Sequence, residues 1–263
     1  MKYCRFEHEG TPQFGWIETV AGQDQITATF QFPVDGGGLE RESKKIASIP
    51  LAKAALLAPV TPSKIVCIGR NYREHAAELG HEVPKEPLLF LKATSALLAP
   101  GGVVRRPKLS ERVDHEGELG VVIGKTCYQP PADADIRQYI LGYTCVNDVT
   151  ARDLQFADGQ WSRAKGFDTF CPVGPIVTSE IDPWAGIGVE TRVNGEIRQQ
   201  GNTRDFIFPL DVVIRHIAQA MTLFPGDLIP TGTPAGVGPL NAGENVEVTV
   251  EGVGTLSNPV ANE

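Results

Sequence analysis

The stretch that most restricts what this chain can fold into is Asp114 to Gly124, DHEGELGVVIG, which sets acidic side chains into what otherwise reads as a buried β-strand. Leu119, Val121, Val122 and Ile123 are apolar and mostly β-branched, as a covered strand requires, and Gly124 with Lys125 ends the run. Side chains alternate across a strand, so Asp114, Glu116 and Glu118 are expected on one face and His115 and Gly117 on the other. Three carboxylates that close repel one another, and burial opposes their ionisation. Such a face needs a cation, a shared proton or open water, and a hard divalent cation would serve best. The ordinary alternative is a strand end emerging into solvent.

Length and charge narrow the classes. At 263 residues the chain can bury a large core, as one big domain or as one with a small partner. A net charge of −8 argues against nucleic acid or an anionic membrane as the main partner. Five cysteines, at positions 4, 67, 127, 145 and 171, are odd in number, scattered and without a C-x-x-C pair, which suits reduced thiols in the cytoplasm. The N-terminus, MKYCRFEHEG, lacks the apolar segment of a signal peptide, and no stretch approaches the run of about 18 apolar residues that a membrane helix needs. A soluble cytoplasmic protein is expected. Plentiful glycine and proline suit a β-rich, turn-rich fold better than a helical bundle.

Residues 1–60 read as a small N-terminal β-rich domain, with strand-like runs over Phe14–Thr19 and Ile26–Phe32, a Gly36-Gly37-Gly38 loop and a short helix over Lys53–Leu57. Pro59 and Pro62 mark the boundary to a second domain, 61–263. That domain opens with a buried strand, Lys64–Gly69, followed by a polar, mobile-looking segment from Arg70 to Pro87 that holds a short helix, Arg73–Leu79, stopped by Gly80. Further strands are expected over Leu88–Lys92, Tyr143–Val149 and the start of Gly226–Gly238, with a closing hairpin over Val246–Leu256. Asn194-Gly195 is the strongest short hairpin signal in the chain. Short helices are expected over Asp133–Tyr139 and Pro209–Leu223, the latter with Val212, Val213, Ile217, Ala220 and Met221 as its apolar stripe. There is no βαβ alternation, and the Gly226–Gly238 loop lacks the Lys-Ser/Thr ending of a phosphate-binding loop.

Chemistry gathers at four places. His75 and Glu78 stand three apart on a helix, so the carboxylate can hold one imidazole nitrogen and leave the other free as a base, or both can be plain solvated groups. Asp148, at a strand end, can bring a third carboxylate to Glu116 and Glu118, with Arg152 and Gln155 just beyond it. Lys165 sits among small and aromatic residues, where it either meets an anion or snorkels to the surface. Thr231, Gly232 and Thr233 lie in the glycine- and proline-rich loop.

Taken in order, the elements G-R-N-Y-x-x-H-x-x-E, D-x-E-x-E-L, N-D-V-T-A-R-D-x-Q, K-G-F-D-T-F-C-P and T-G-T-P-x-G-V-G resemble the fumarylacetoacetate hydrolase family over roughly residues 64 to 256. The resemblance implies a mixed, β-rich (α+β) fold: a β-roll catalytic domain with a few short helices, in a homodimer, with one Mg²⁺ or Mn²⁺ per subunit. It implies Glu116, Glu118 and Asp148 as metal ligands, with Asp114 outside that set and left as a neighbouring or solvated residue. It implies His75 and Glu78 as a dyad on a lid helix and Lys165 as a catalytic cation. Arg70, Tyr72, Arg152, Gln155, Thr231, Gly232 and Thr233 are its substrate contacts. The N-terminal section resembles that of the dienedioate isomerase and oxaloacetate tautomerase branch.

A metal on carboxylates can act as a Lewis acid toward a chelating 2-oxo acid and stabilise the enolate formed when the bond beyond C3 breaks or a C3 proton leaves. The leading expectation is therefore acylpyruvate hydrolysis or oxaloacetate decarboxylation, with isomerisation or tautomerisation on the same scaffold as the runner-up. A non-catalytic binding protein of the same fold is the remaining alternative.

Overall fold

The apolar runs pair into one large sheet and two smaller ones in the computed structural model, which describes residues 1–32, 43–78, 80 and 82–263. Across the large sheet the strands lie in the order Lys44–Pro50, Gln23–Phe30, Thr11–Val20, Lys2–His8, Cys171–Thr178, Ile140–Asn147, Gly117–Ile123, Leu228–Pro230, Ile65–Gly69 and Leu88–Lys92. Neighbours along this path are antiparallel except Leu228–Pro230 and Ile65–Gly69, which run parallel. A second sheet holds Glu196–Asn202, Gly188–Val193, Asn245–Val250, Gly254–Asn262 and Val104–Arg106, and a third joins Thr150–Ala151, Val113–His115 and Gly238–Pro239. Four α-helices are present among the described residues: α1 (Arg73–Glu78), α2 (Arg152–Asp158), α3 (Ser162–Gly166) and α4 (Leu210–Ala220). The fold is the mixed, β-rich one that the sequence suggests.

The central strand Gly117–Ile123 is buried along its whole length because both faces of the sheet are covered. On one face Leu119, Val121 and Ile123 pack with Val189, Val248 and Leu256 of the second sheet and with Leu210, Val213, Ile214, Ile217 and Ala218 of α4. On the other, Val122 packs with Val146, Leu228, Ala164 and Phe170. Glu118 shares the parity of Val122, so it points to the side on which α3 lies.

Local expectations fare unevenly. Asn194 and Gly195, both at positive φ, form the tip of the hairpin that pairs Val193 with Glu196. The stripe of α4 is Leu210, Val213, Ile214, Ile217 and Ala218; Val212 is exposed, and the chain turns extended at Met221. The helix expected over Lys53–Leu57 is instead a 3₁₀ turn over Leu51–Lys53, because Leu56 and Leu57 pair with Phe6 and Arg5. The one expected over Asp133–Tyr139 shortens to a 3₁₀ turn, Ile136–Tyr139, capped by the Asp135 side chain. The first strand is continuous with the large sheet, Lys2 opposite Thr178 and Tyr3 opposite Val177. The Gly36–Gly38 loop and the last residue of the expected lid helix, Leu79, lie outside the described residues.

Candidate active site

The acidic stretch is two strands. Val113–His115 belongs to the small third sheet, Gly117–Ile123 to the large one, and Glu116 stands at the crossing. Alternation survives the change of sheet: Asp114 and Glu116 both meet Arg152, while His115 Nδ1 and the Gly117 N–H turn to Gln199 Oε1 on the other side. The end of Ile140–Asn147 is tied to the same point. The Glu116 N–H donates to Asn147 Oδ1 at 3.0 Å, and the Asp148 N–H donates to the Glu116 carbonyl at 2.8 Å. These bonds deliver Asp148 to the acidic face, and one carboxylate oxygen each of Glu116, Glu118 and Asp148 lies within 4.8 Å of the others.

The three acids are buried but differently compensated. Lys165 Nζ donates to Glu116 Oε2 at 2.7 Å and to Asp148 Oδ2 at 2.6 Å. Arg152 Nη2 donates to Glu116 Oε1 at 2.5 Å, and Lys92 Nζ to Asp148 Oδ1 at 2.6 Å. Burial pushes the Glu116 carboxyl up, but Lys165 and Arg152 outweigh it and hold the group below the ordinary carboxylate range. Burial opposes the charge on Lys165 in turn, and Asp148 with Glu116 raises its pKa above the usual value. Glu118 forms no ion pair among the described residues; its Oε2 accepts from the Gly232 N–H at 2.8 Å. Burial, then the charges of Asp148 and Glu116, raise its pKa. Three convergent oxygen donors, one without a cation, are the donor set that a hard divalent ion takes. The residues fit such an ion.

Asp114 is not solvated. It is fully buried, with Arg112 Nε on Oδ1 at 2.8 Å and Arg152 Nε on Oδ2 at 2.9 Å, because its strand is covered on both sides where solvent was an expected option. Its effect is to aim Arg152 at Glu116. Arg152 Nη1 goes to Gln155 Oε1 at 2.6 Å, so all three guanidinium nitrogens have partners within the protein. Lys165 is likewise buried, and the anions it meets are the protein's own.

His75 reaches this site from α1 and is 5% exposed, far from the solvated alternative. Its Nδ1 lies 3.4 Å from Glu78 Oε2, and a carboxylate can only accept there, so Nε2 is the nitrogen left free. Burial lowers the His75 pKa despite the nearby acids, which keeps the ring neutral. Glu78 also accepts from the Gly236 N–H, pinning the helix to the loop after Thr233. At the other end of α1, Asn71 donates to the Thr231 and Phe208 carbonyls and accepts from the Phe208 N–H.

These groups line a cavity of about 230 Å³. His75, Glu116, Glu118, Asp148, Arg152, Gln155, Lys165, Arg70 and Thr233 are among its walls, with Phe90, Phe156 and Trp161 as the aromatic part. Not every expected contact arrives there. Tyr72 is buried against Phe206, beside a separate surface hollow. Thr231 donates to the Leu119 carbonyl at 2.8 Å. Gly232, at φ +99, serves through its N–H; a Cβ there would lie 2.7 Å from that of Asn71. Thr233 bridges the Gly117 carbonyl and Gln199 Nε2.

Sequence reasoning missed Lys92, Asn71 and Gln199. Lys92 left one signal, since it ends the run LLFLK two residues after Phe90 and shares that residue's side of the strand. Asn71 and Gln199 act through contacts with distant chain, and nothing local marks them.

The family comparison falls on the same elements. Residues 64–261 match the family described as Fumarylacetoacetate (FAA) hydrolase C-terminal, and residues 1–59 match Rv2993c-like, N-terminal. The chain belongs to the fumarylacetoacetate hydrolase family. Within that family it is 42% identical to the oxaloacetate tautomerase YisK of Bacillus subtilis over 269 residues, covering 97% of this chain and 89% of that protein. The structure of a 5-carboxymethyl-2-hydroxymuconate delta-isomerase from Mycobacterium smegmatis superposes with a TM-score of 0.89 at 40% identity, over 100% of both chains. A fumarylpyruvate hydrolase from Pseudomonas aeruginosa, in complex with Mn²⁺ and pyruvate, is 31% identical with a TM-score of 0.72, over 78% of this chain and 91% of that one. No helix among the described residues of this family member is long and apolar enough to cross a membrane.

Proposed function

We propose that the protein is a divalent-metal-dependent isomerase or tautomerase of small 2-oxo acids, moving a proton between C3 and the 2-oxo oxygen of an oxaloacetate-like substrate. One observation carries the reading: a neutral, buried histidine and a trio of buried carboxylates face the same cavity. The relatives support one of the reactions over the other. Similarity to a tautomerase and to an isomerase extends over nearly the whole chain at 42% and 40% identity, against 34% for a fumarylacetoacetate hydrolase that also spans it, and this supports proton transfer over the bond cleavage that the motifs alone put first.

Glu116, Glu118 and Asp148 would hold the Mg²⁺ or Mn²⁺ ion, which when bound would supply Lewis acidity toward the 2-oxo group of the substrate. The chain's own groups do the rest. His75 accepts the C3 proton at Nε2, and Glu78 takes the hydrogen bond from Nδ1–H, fixing the ring's tautomer and steadying the imidazolium that forms. The proton returns from Nε2 to the substrate oxygen to give the enol, or to another carbon of a conjugated diene acid to shift the double bond. Lys165 and Arg152 hold the carboxylates in place, and α1 with the aromatic wall limits the entry of water. Gln155 and Thr233 stand at the cavity wall as further substrate contacts in this proposal, and Arg70 with them. The homodimer implied by the motifs belongs to the same proposal, and sedimentation velocity measures it. Five free, buried cysteines suit the reducing cytoplasm that the proposal assumes.

A second reading, hydrolysis of an acylpyruvate or decarboxylation of oxaloacetate, is supported by the similarity to the fumarylpyruvate hydrolase. Products separate the two. Mg²⁺- or Mn²⁺-loaded protein is mixed with enol-oxaloacetate, the enol absorbance is followed, and pyruvate is assayed in the same sample. Loss of the enol signal faster than in buffer, without pyruvate, is the expected result. Pyruvate release favours the second reading, and no acceleration with either metal refutes the first. Glu116→Ala and Glu118→Ala should each abolish Mn²⁺ binding by calorimetry; retained binding would remove these residues from the metal site.

A further inference from the structure

We propose that Gln199 is a positioning residue: its side-chain amide fastens the loop 231–236 to the strand that carries Glu118, and so keeps the His75–Glu78 dyad in register with the carboxylate trio. The inference deepens the functional proposal and rests on it for the role of the dyad. Gln199 is 1% exposed, and it meets the cavity through Thr233, which stands at the wall. It comes from Glu196–Asn202, an edge strand of the second sheet on which Glu196, Ile197, Arg198 and Gln200 are exposed. A buried amide in such a strand is costly unless its hydrogen bonds are made. All four are made. Oε1 accepts from the Gly117 N–H at 2.9 Å and from His115 Nδ1 at 3.2 Å, and Nε2 donates to Thr233 Oγ1 and to the Pro234 carbonyl, each at 2.7 Å. The amide can face only this way, because the Gly117 N–H must donate and the Pro234 carbonyl must accept.

Each partner of Gln199 bears on the site. Gly117 stands between Glu116 and Glu118, with its N–H tied to Gln199 and its carbonyl accepting from Thr233 Oγ1 at 2.9 Å. Thr233 and Pro234 lie between two loop N–H groups that hold side chains of the site. The Gly232 N–H donates to Glu118 Oε2 at 2.8 Å, and the Gly236 N–H meets the two carboxylate oxygens of Glu78 at 3.1 and 3.2 Å. The loop also rides directly on the strand that carries Gln199: a Cβ on Gly236 would collide with the Arg198 carbonyl, and one on Gly201 would come within 2.5 Å of Pro234 Cβ. An apolar side chain of the same length would fill the space of Gln199 without fixing where the loop sits, whereas four directional bonds fix it. One residue behind the cavity wall thereby sets where Gly232 and Gly236 stand, and through them where Glu118 and Glu78 point.

Gln199→Met keeps the length and removes the amide. In the metal-free full chain, amide hydrogen exchange followed by NMR should quicken at Gly232 and Gly236 by about 10- to 100-fold, the share of two lost hydrogen bonds, and stay unchanged in α4. Exchange needs no turnover. With Mg²⁺ and enol-oxaloacetate, kcat should fall by about 10- to 100-fold with KM little changed, as for a reacting group displaced by about 1 Å. In a Glu78→Ala background, where the loop has no dyad carboxylate to hold, the same substitution should lower kcat by less than about threefold. A residue that serves stability alone would lower kcat by the same factor in both backgrounds. Unchanged exchange at both glycines, exchange raised equally in α4, or an equal loss of kcat in both backgrounds overturns the assignment. Gln199→Asn, one methylene shorter, should give the same pattern and takes the place of methionine should that variant not fold. If wild type turns over no enol, the proposed reaction fails, and exchange at Gly232 and Gly236 still decides whether Gln199 holds the loop.

Discussion

Replacing Lys92 by methionine tests the charge arrangement at its least visible member. Lys92 lies on the edge strand of the large sheet, yet its side chain is buried while Leu88 and Leu91 of the same strand are exposed. Its Nζ donates to Asp148 Oδ1 at 2.6 Å and to the Val149 carbonyl at 3.2 Å. Methionine keeps the length and removes the charge, leaving Asp148 with Lys165 on Oδ2 alone. Breaking one side of a buried ion pair costs about 3–5 kcal/mol. For a chain of this size each kcal/mol moves the midpoint by about 2–4 °C, so unfolding in EDTA should fall by about 6–20 °C. Saturating Mn²⁺ or Mg²⁺ brings positive charge back to the same carboxylates, and the gap from wild type should narrow. Thermal unfolding by circular dichroism, with and without metal, reads both numbers. An unchanged midpoint in EDTA would refute the claim that Lys92 compensates Asp148, and an equal loss with and without metal would refute its link to the metal site.

Three more perturbations follow from the same geometry. Gly232→Ala puts a Cβ against Asn71 at a positive φ and should cost about 1–3 kcal/mol; because the Gly232 N–H holds Glu118, Mn²⁺ affinity should fall too, and unaltered calorimetry would contradict that role. His75→Gln should lower kcat/KM by about two to four orders of magnitude. Burial sets the His75 pKa below its ordinary 6.5, so the acid limb of the wild-type pH profile should lie below that value, and Glu78→Gln, which removes a bond and a charge that raise the pKa, should move it lower still. Unfolded chain takes up the imidazole proton first, so the stability linked to His75 is complete above pH 6.5 and declines as pH falls from there toward the folded pKa. A limb at or above 6.5 would contradict the buried, neutral ring.

The acidic stretch was the most legible part of the chain because carboxylates inside a covered strand are costly and rarely arbitrary. Strand parity alone puts Glu116 and Glu118 on one face, and parity holds even though the chain changes sheets at Glu116, which no local signal announces. The spacing of His75 and Glu78 was readable for the same reason, since a helix brings such pairs together whatever lies around it. What could not be read was which way distant elements would turn. LLFLK looks like a strand with a charged end pointing to solvent, and the side that becomes buried depends on its pairing with Ile65–Gly69. Arg152 followed an acid in sequence and looked available to a substrate; only the folded positions of Asp114 and Glu116, thirty-eight and thirty-six residues away along the chain, show that its Nε and Nη2 each meet a carboxylate of the protein.

The acids that look alike in sequence end in unlike electrostatic settings, and this difference bears on how the site can work. Glu116 is held by a lysine and an arginine, and Asp148 by two lysines, so both can be buried as anions without help. Glu118 receives one backbone N–H and no cation among the described residues. A site compensated equally at all three positions would have little call for a further positive charge, and one compensated at none would be hard to fold before a metal arrived. The cations sit instead on both carboxylate oxygens of each of two acids and leave the third open. The fold is thereby stable enough to form the trio, while the demand for a divalent ion is concentrated at Glu118, whose carboxylate is aimed by a glycine that tolerates no side chain.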